Sequence, residues 1–426
     1  MRLLQGGVKT CPDNIRAFQM VGMSGRSELV RRLSGHTVKN WIGSTYCVAA
    51  APAIAHSTSG GISMTDTLTT ADTLPLAVAA ASTPTSLWND SADPDELARS
   101  IAFGAVGATC NPVIALAVIS QNLDVWAPRI AELAVEFPTA GEAELGWKVV
   151  EELSIQAAVL LEPAFRESNG RNGRLSIQTD PRLHRDADAL VEQAVRFSAL
   201  AENIIVKIPA TAVGIRAIEE ATYRGVSINA TVSFTVAQAV AVAEAIERGL
   251  DRRAAEGLPD WEFGSVVTIM GGRLDDWLKA SVAKDRILID PGYLEWAGVA
   301  ALKEAHRIFT ERGYRSRILS AAFRNHLQWS ELVGGDLVIS PPFDWQLRIN
   351  ENLIPVDPHR IDVPVAQHIV DALLERVPEF RRAYLVDGMS IDEFDDFGAT
   401  RRTLRQFLEA DAKLDALVRD ILLPVI

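Results

Sequence analysis

From residue 86 onward, short apolar runs alternate with longer stretches in which apolar positions recur every three or four residues. Eight of the short runs read as strands: SLWNDSA (86–92), GATCNP (107–112), LSIQTD (175–180), IIVKIPA (204–210), VSINATVSF (226–234), GSVVTIMGG (264–272), RILSAAF (317–323) and DLVISPP (336–342). Most are continuously apolar, the pattern of strands covered on both faces. The stretches between them carry helical stripes. Val236, Val240 and Ala243 keep helical spacing, with Thr235 as a cap and Gly249 as a stop, and Leu190, Val191, Ala194 and Val195 do the same ahead of the fourth run. Eight alternations of strand and helix predict a closed parallel (β/α)8 barrel, the TIM-barrel class. An open doubly wound sheet is the structural rival, but no GxGxxG follows the first run.

Past the eighth run, Pro355 and Pro358 lead into a helical region where Leu414, Leu417, Val418, Ile421 and Leu422 form one apolar stripe. This region is expected to pack on the barrel as additional helices. A docking face for another subunit, giving a homo-oligomer, is the alternative. The predicted organisation is a leader over 1–80, a catalytic barrel over 81–360 and C-terminal helices over 361–426.

Charge changes the picture only at the N-terminus. The whole chain carries a net charge of −13, which argues against a nucleic-acid or anionic-membrane surface. Residues 1–63 nevertheless hold seven basic and two acidic side chains. Within them, WIGSTYCVAAAPAIAHS (41–57) has the look of a signal-peptide core, but the basic stretch ahead of it is far longer than an n-region. A disordered leader, or translation beginning at Met64, is the expectation. Cys11, Cys47 and Cys110 are far apart with no CxxC, so neither a disulfide framework nor a cysteine-rich metal site is expected. The seven histidines form no HxH or HExxH, so no metal or other cofactor is expected. No apolar run reaches the roughly 18 residues of a membrane span, and a cytoplasmic setting with no membrane or nucleic-acid partner is inferred.

In a barrel of this class the reacting groups sit at the C-terminal ends of the strands. Asp90, Asn111, Gln178, Lys207, Asn229, Thr231, Arg273 and Arg324 fall at or near such ends, so residues scattered through the sequence become a ring. Lys207 is the most pointed of them, a lysine inside the apolar run NIIVKIPAT (203–211). An ammonium buried there is costly unless paired or neutral. A neutral amine would form a Schiff base with a ketone or aldehyde, and the iminium would then accept electrons from a breaking carbon–carbon bond. The other reading is a strand-end lysine that pairs with an acid or reaches solvent.

The stretch NIIVKIPATAVGIRAIEEATYRGVSINATVSFTVAQAVAVAEA (203–245) resembles the signature of the transaldolase family around its Schiff-base lysine. LWNDSAD (87–93) is similar to the family's first-strand motif, ATCNP (108–112) to its TTNP motif, and FDDFGATRRTLRQFLEA (394–410), less firmly, to its C-terminal region. The resemblance implies catalysis by Lys207, Asp90, Thr231 and Gln178, and substrate binding by Asn111, Asn229, Arg273, Arg324 and Thr268, with the two arginines holding phosphate. It implies transfer of a dihydroxyacetone unit between sugar phosphates, as in the pentose phosphate pathway, without a metal or cofactor.

Three positions depart from the family pattern. Gln178 stands where transaldolases proper carry a glutamate, and the related fructose-6-phosphate aldolases also use glutamine there. TIMGGR puts Thr268 and Met270 where the family reads S-P-F-V-G-R or, in the aldolases, has a tyrosine in place of Met270. Ala322 replaces a serine that is a phosphate ligand. Aldol cleavage without transfer, an altered sugar specificity, or a barrel that binds without turnover are the alternatives these changes raise.

Overall fold

Eight parallel strands close on themselves in chain order, each paired with its sequence neighbours and β1 pairing with β8. They are β1 (Ser86–Asn89), β2 (Ala105–Thr109), β3 (Arg174–Gln178), β4 (Ile204–Pro209), β5 (Ile228–Thr231), β6 (Val266–Ile269), β7 (Arg317–Ala321) and β8 (Val338–Ser340). This computed structural model describes residues 73–259 and 264–424. The expected (β/α)8 barrel is therefore the observed fold, and the open sheet is excluded by closure. Of the leader expected over 1–80, residues 1–72, with the signal-like segment and the alternative start at Met64, lie outside the described residues. Helix Pro75–Ser82, with Leu76 and Ala79 buried, crosses the boundary expected at residue 81.

Side chains alternate across each strand, so the barrel has two cores. The outward set, including Ile204, Val206 and Ile208 of β4, joins the surrounding helices in one large apolar cluster. Trp88, Ile205, Val266, Leu319, Ala321 and Val338 form a separate inner cluster. Trp88 lies across Gly107, where a Cβ would come within 2.4 Å of the indole. At the N-terminal ends of the strands the interior is polar: Arg317 donates to Ser86 Oγ (3.0 Å) and Asn172 Oδ1 (3.1 Å), and Arg174 to the Gly170 carbonyl (2.6 Å). Burial, together with a neighbouring arginine in each case, pushes both guanidinium groups down to about 10.

The strand-to-helix turns carry the caps that a sequence can announce. Asp93, Asn111, Thr211 and Thr235 each accept hydrogen bonds from backbone N–H groups in the first turn of the following helix. The helix after β5 does not stop at Gly249 but runs Val236–Ala255. A Cβ at Gly249 would lie 2.6 Å from the Glu219 carbonyl and 2.7 Å from Thr222 Cβ, so this glycine serves close helix packing and not termination.

After helix Phe343–Glu351 closes the last barrel unit, the chain continues through Gln367–Arg376 and Pro378–Tyr384 to the helix Gly398–Leu422. That helix packs on helices Pro112–Gln121 and Glu142–Glu167, and its stripe residues Leu414 and Val418 are buried against Gly146. Among the described residues no helix is long and apolar enough to cross a membrane.

Candidate active site

Lys207 sits in β4 with Gln178 of β3 and Asn229 of β5 as its register partners. It is 6% exposed. No hydrogen bond or ion pair engages its amine among the described residues. Burial lowers its pKa, the charge of Asp90 works against that shift, and Arg273 adds to it. An amine held this way is easier to deprotonate than one in water, which is the requirement for a nucleophile.

Asp90 follows β1, and its Oδ1 accepts a 2.6 Å hydrogen bond from Thr109 Oγ1 at the end of β2. Its charge acts on Lys207, and both charges act on Cys110, whose thiol burial pushes up to about 11. The carboxylate and the amine are thus brought together from strands 117 positions apart.

Across the interior beside β4, Thr268 Oγ1 donates to Asn229 Oδ1 (2.8 Å), and Asn229 Nδ2 donates to Ser176 Oγ (2.9 Å). This chain spans β6, β5 and β3, and all three residues are buried. Thr268, expected among the substrate-binding residues, has its hydroxyl proton engaged in orienting Asn229. Gln178 Oε1 and Thr231 Oγ1 are buried with no hydrogen-bond partner. A buried polar atom left unpaired is unusual, and both lie on the strands that flank Lys207. Asn111 is the N-cap of helix Pro112–Gln121, its Oδ1 accepting from Val113 N (2.9 Å) and Ile114 N (3.1 Å). Only its amide N–H groups remain for a ligand.

The two arginines differ in state. Arg273, on helix Gly271–Lys284, donates through Nη1 to Thr403 Oγ1 and Gln406 Oε1 of the C-terminal helix and lies 5.6 Å from the centre of the Phe407 ring. Its Nε and Nη2 donors are unengaged among the described residues. Burial lowers its pKa, with the like charge of Arg324 acting in the same direction. Arg324, after β7, is paired with Asp276 through Nε (2.8 Å) and Nη2 (2.7 Å) and is partly exposed. The charge of Arg324 acts on Arg273, with Asp90 and Asp276 opposing it.

Met270 is buried as the residue before helix Gly271–Lys284, and its backbone N–H bonds the Ser233 carbonyl at 2.9 Å. Ala322 adopts a left-handed φ of +62°, and a Cβ at Gly272 would sit 1.8 Å from its carbonyl oxygen. Gly272 of TIMGGR is therefore required by the close approach of this helix to the loop after β7, while Gly271 faces Leu302 and Gly298. Among the described residues no group of three or more His, Cys, Asp or Glu is arranged to hold a metal ion.

Sequence reasoning did not single out Thr109, Ser176, Thr403, Gln406 or Asp276. Thr109 stands two residues before Asn111 in a motif already noticed. Thr403 and Gln406 share a helical face, but nothing in their local sequence names Arg273 as the partner.

The family model for transaldolase/fructose-6-phosphate aldolase matches residues 87–351, more than half of the chain. The chain is 29% identical to the transaldolase of Thiobacillus denitrificans over 327 residues, 70% of this chain and 88% of that protein. It is 29% identical to the transaldolase of Methylibium petroleiphilum over 338 residues, 77% and 95% of the two chains. With transaldolase 1 of Streptomyces avermitilis identity rises to 34% over 182 residues, a match that spans 42% of this chain and about half, 47%, of that relative.

Proposed function

We propose a reaction for this chain, which belongs to the transaldolase/fructose-6-phosphate aldolase family: transfer of a three-carbon dihydroxyacetone unit from a ketose phosphate to an aldose phosphate, through a Schiff base on Lys207. The observation that carries this reading is the unengaged, buried amine of Lys207, its pKa lowered, within the field of the Asp90 carboxylate.

The neutral amine adds to the ketose carbonyl, and loss of water gives an iminium. Asp90 accepts the proton from the hydroxyl on the far carbon of the bond to be broken, the carbon that becomes the aldehyde. The electron pair of that bond moves into the iminium, leaving an enamine on Lys207 and releasing an aldose. The enamine then attacks the carbonyl carbon of the acceptor, whose oxygen takes the proton back from Asp90. Water hydrolyses the new iminium and frees the product ketose. Gln178 and Thr231 would hold that water, while Asn111 and Asn229, the latter fixed by Thr268, orient hydroxyls of the bound unit. Arg273 and Arg324 would bind the phosphate. Fructose 6-phosphate or sedoheptulose 7-phosphate as donor, and erythrose 4-phosphate or glyceraldehyde 3-phosphate as acceptor, fit this chemistry and the pentose phosphate pathway.

Borohydride reduction in the presence of fructose 6-phosphate and EDTA tests the reading. A reduced three-carbon adduct on Lys207, seen by intact mass and peptide mapping and drained by erythrose 4-phosphate, is the expected result. Adduct at the wild-type level in Lys207→Ala would overturn it.

One observation favours a second reading. Gln178, with its unpaired Oε1, resembles the glutamine of the fructose-6-phosphate aldolases, in which the three-carbon unit is released to water. Met270 argues the other way, because a thioether cannot donate the proton that release requires. Free dihydroxyacetone accumulating at the rate of donor consumption, with no acceptor present, would select the aldolase.

A further inference from the structure

Three glutamines are fully buried in the first turn of the helices that follow β5, β7 and β8. Gln238 donates through Nε2 to the Ala210 carbonyl after β4 (3.0 Å) and to the Val232 carbonyl after β5 (3.1 Å), while its Oε1 accepts from Phe234 N (3.0 Å). Gln328 donates through Nε2 to the buried Asp275 carboxylate on the helix after β6 (2.7 Å), and its Oε1 accepts from Arg324 N after β7 (2.5 Å). Gln346 donates to Asn89 Oδ1 at the end of β1 (2.7 Å) and to the Pro341 carbonyl after β8 (3.1 Å), and accepts from Ser100 Oγ (2.7 Å). Each side chain bridges segments at or beyond the ends of two adjacent strands, and the three bridges belong to strands four and five, six and seven, and eight and one.

The bridged segments are the ones that carry the site. Asp90 lies between Asn89, bound by Gln346, and Ser91, whose carbonyl accepts from Asn89 Nδ2 at 2.9 Å. The Asp90 N–H bonds the same Pro341 carbonyl that Gln346 holds. Arg324 hangs from a backbone amide whose partner is Gln328, in the loop where Ala322 is left-handed. Gln238 binds the carbonyl of Val232, a β-branched residue at a φ of +50°. Such a conformation persists only where the surroundings over-determine it. A buried amide also has no neutral substitute here, since each glutamine donates and accepts at once. Asp275 is a corresponding case: Gly298 N (2.7 Å) and Gln328 Nε2 both donate to it, so it must accept twice.

We propose that Gln238, Gln328 and Gln346 are positioning residues that brace the catalytic rim in pairs of loops, each governing one part of the reaction. Gln346 sets the aspartate that moves the proton, Gln328 sets the arginine of the phosphate clamp, and Gln238 sets the loops that follow the lysine strand and Thr231. The division of labour rests on the function proposed above.

The test replaces single glutamines by methionine, which keeps the volume and removes the bridge, and measures turnover with fructose 6-phosphate and with unphosphorylated fructose. Gln328→Met should raise KM for the phosphorylated donor about tenfold, with kcat and the KM for fructose within about twofold. Gln346→Met should lower kcat for both donors about tenfold and leave both KM values in place. Equal changes in kcat and KM for both donors in both variants, or none, would overturn the proposal. In the wild-type protein, the amides of Arg324 and Phe234 should resist hydrogen exchange. Exchange at the rate of open loop amides would overturn the bracing even if a variant failed to fold. Borohydride adduct formation on wild-type Lys207, measured alongside, separates the two claims. Without the adduct the proposed function fails, whereas an adduct without the kinetic split condemns the bracing alone.

Discussion

The hydroxyl of Thr109 donates a 2.6 Å hydrogen bond to Oδ1 of Asp90, tying the end of β2 to the end of β1 at the carboxylate whose field reaches Lys207. A hydrogen bond to a charged group contributes roughly 1.5–3 kcal/mol, and this one also fixes which oxygen stays available. In Thr109→Val the β-branched shape is kept and the donor is lost. Since each 1.36 kcal/mol off the transition state is a factor of ten, kcat should fall by roughly tenfold to a hundredfold, with KM for the donor nearly unchanged. Steady-state kinetics with borohydride trapping checks this: the adduct should still form, but drain slowly.

Arg273 lies in the first turn of the helix after β6, and its Nη1 is held by Gln406 and Thr403 on the C-terminal helix. That contact leaves the remaining donors of the guanidinium free for an anion. Gln406→Ala should therefore raise KM for a phosphorylated donor by roughly threefold to tenfold, a part of what a hydrogen bond to a charged group contributes because Thr403 still holds Nη1, with kcat retained. Arg273→Ala should raise it further. Inhibition by inorganic phosphate, measured in both variants, should weaken in the same order. An unchanged phosphate affinity in Arg273→Ala would remove this residue from the clamp.

The barrel was legible because buried parallel strands announce themselves as apolar runs, and the lysine because its charge breaks one of those runs. Asp90, Asn111 and Lys207 were visible as unusual residues at strand ends. The partners were not, for a physical reason: Thr403 and Gln406 meet Arg273 across about 130 residues of chain, and that pairing depends on how the last helix docks. Thr268 shows the same limit. Its place on the strand was read correctly, but which way its hydroxyl bonds is settled by Asn229 on the neighbouring strand. Gly249 reads locally as a stop, while in the fold it is the contact point between two helices.

The C-terminal helix is held at its far end by a cluster of mixed charge. Arg182, just after β3, pairs with Asp180 (2.7 Å), Asp411 (3.0 Å) and Asp415 (3.2 Å). Burial pushes the Asp411 carboxyl up to about 7, Asp180 and Asp415 add to the rise, and Arg182 opposes it. The folded state therefore holds this proton more tightly than the unfolded chain, where the group titrates near its ordinary value of 3.8. Stability from this group is present at low pH and is lost as pH rises through that window toward about 7. Asp411→Asn should remove the window. Thermal unfolding between pH 5 and pH 8 should show the wild type losing Tm relative to the variant as pH rises, and parallel curves would refute the assignment.

Lys207 has the opposite linkage. Its pKa is lowered in the fold, chiefly by burial, so the unfolded chain binds the proton more tightly than the native state does. At pH values below the lowered pKa, folding must bury a charged amine and the full cost is borne. As pH rises from there toward the ordinary lysine value of 10.5, the unfolded state still carries the proton that the folded state has given up, and stability grows. Lys207→Met removes the group while roughly keeping its volume. The variant should therefore unfold at a higher temperature than the wild type near neutral pH, and the gap should narrow as pH is raised. The same variant should form no borohydride adduct. A Tm difference that does not vary with pH would mean that the native amine is not destabilised in its charged form. A high, normal pKa for Lys207 would in turn undercut its use as the nucleophile near neutral pH.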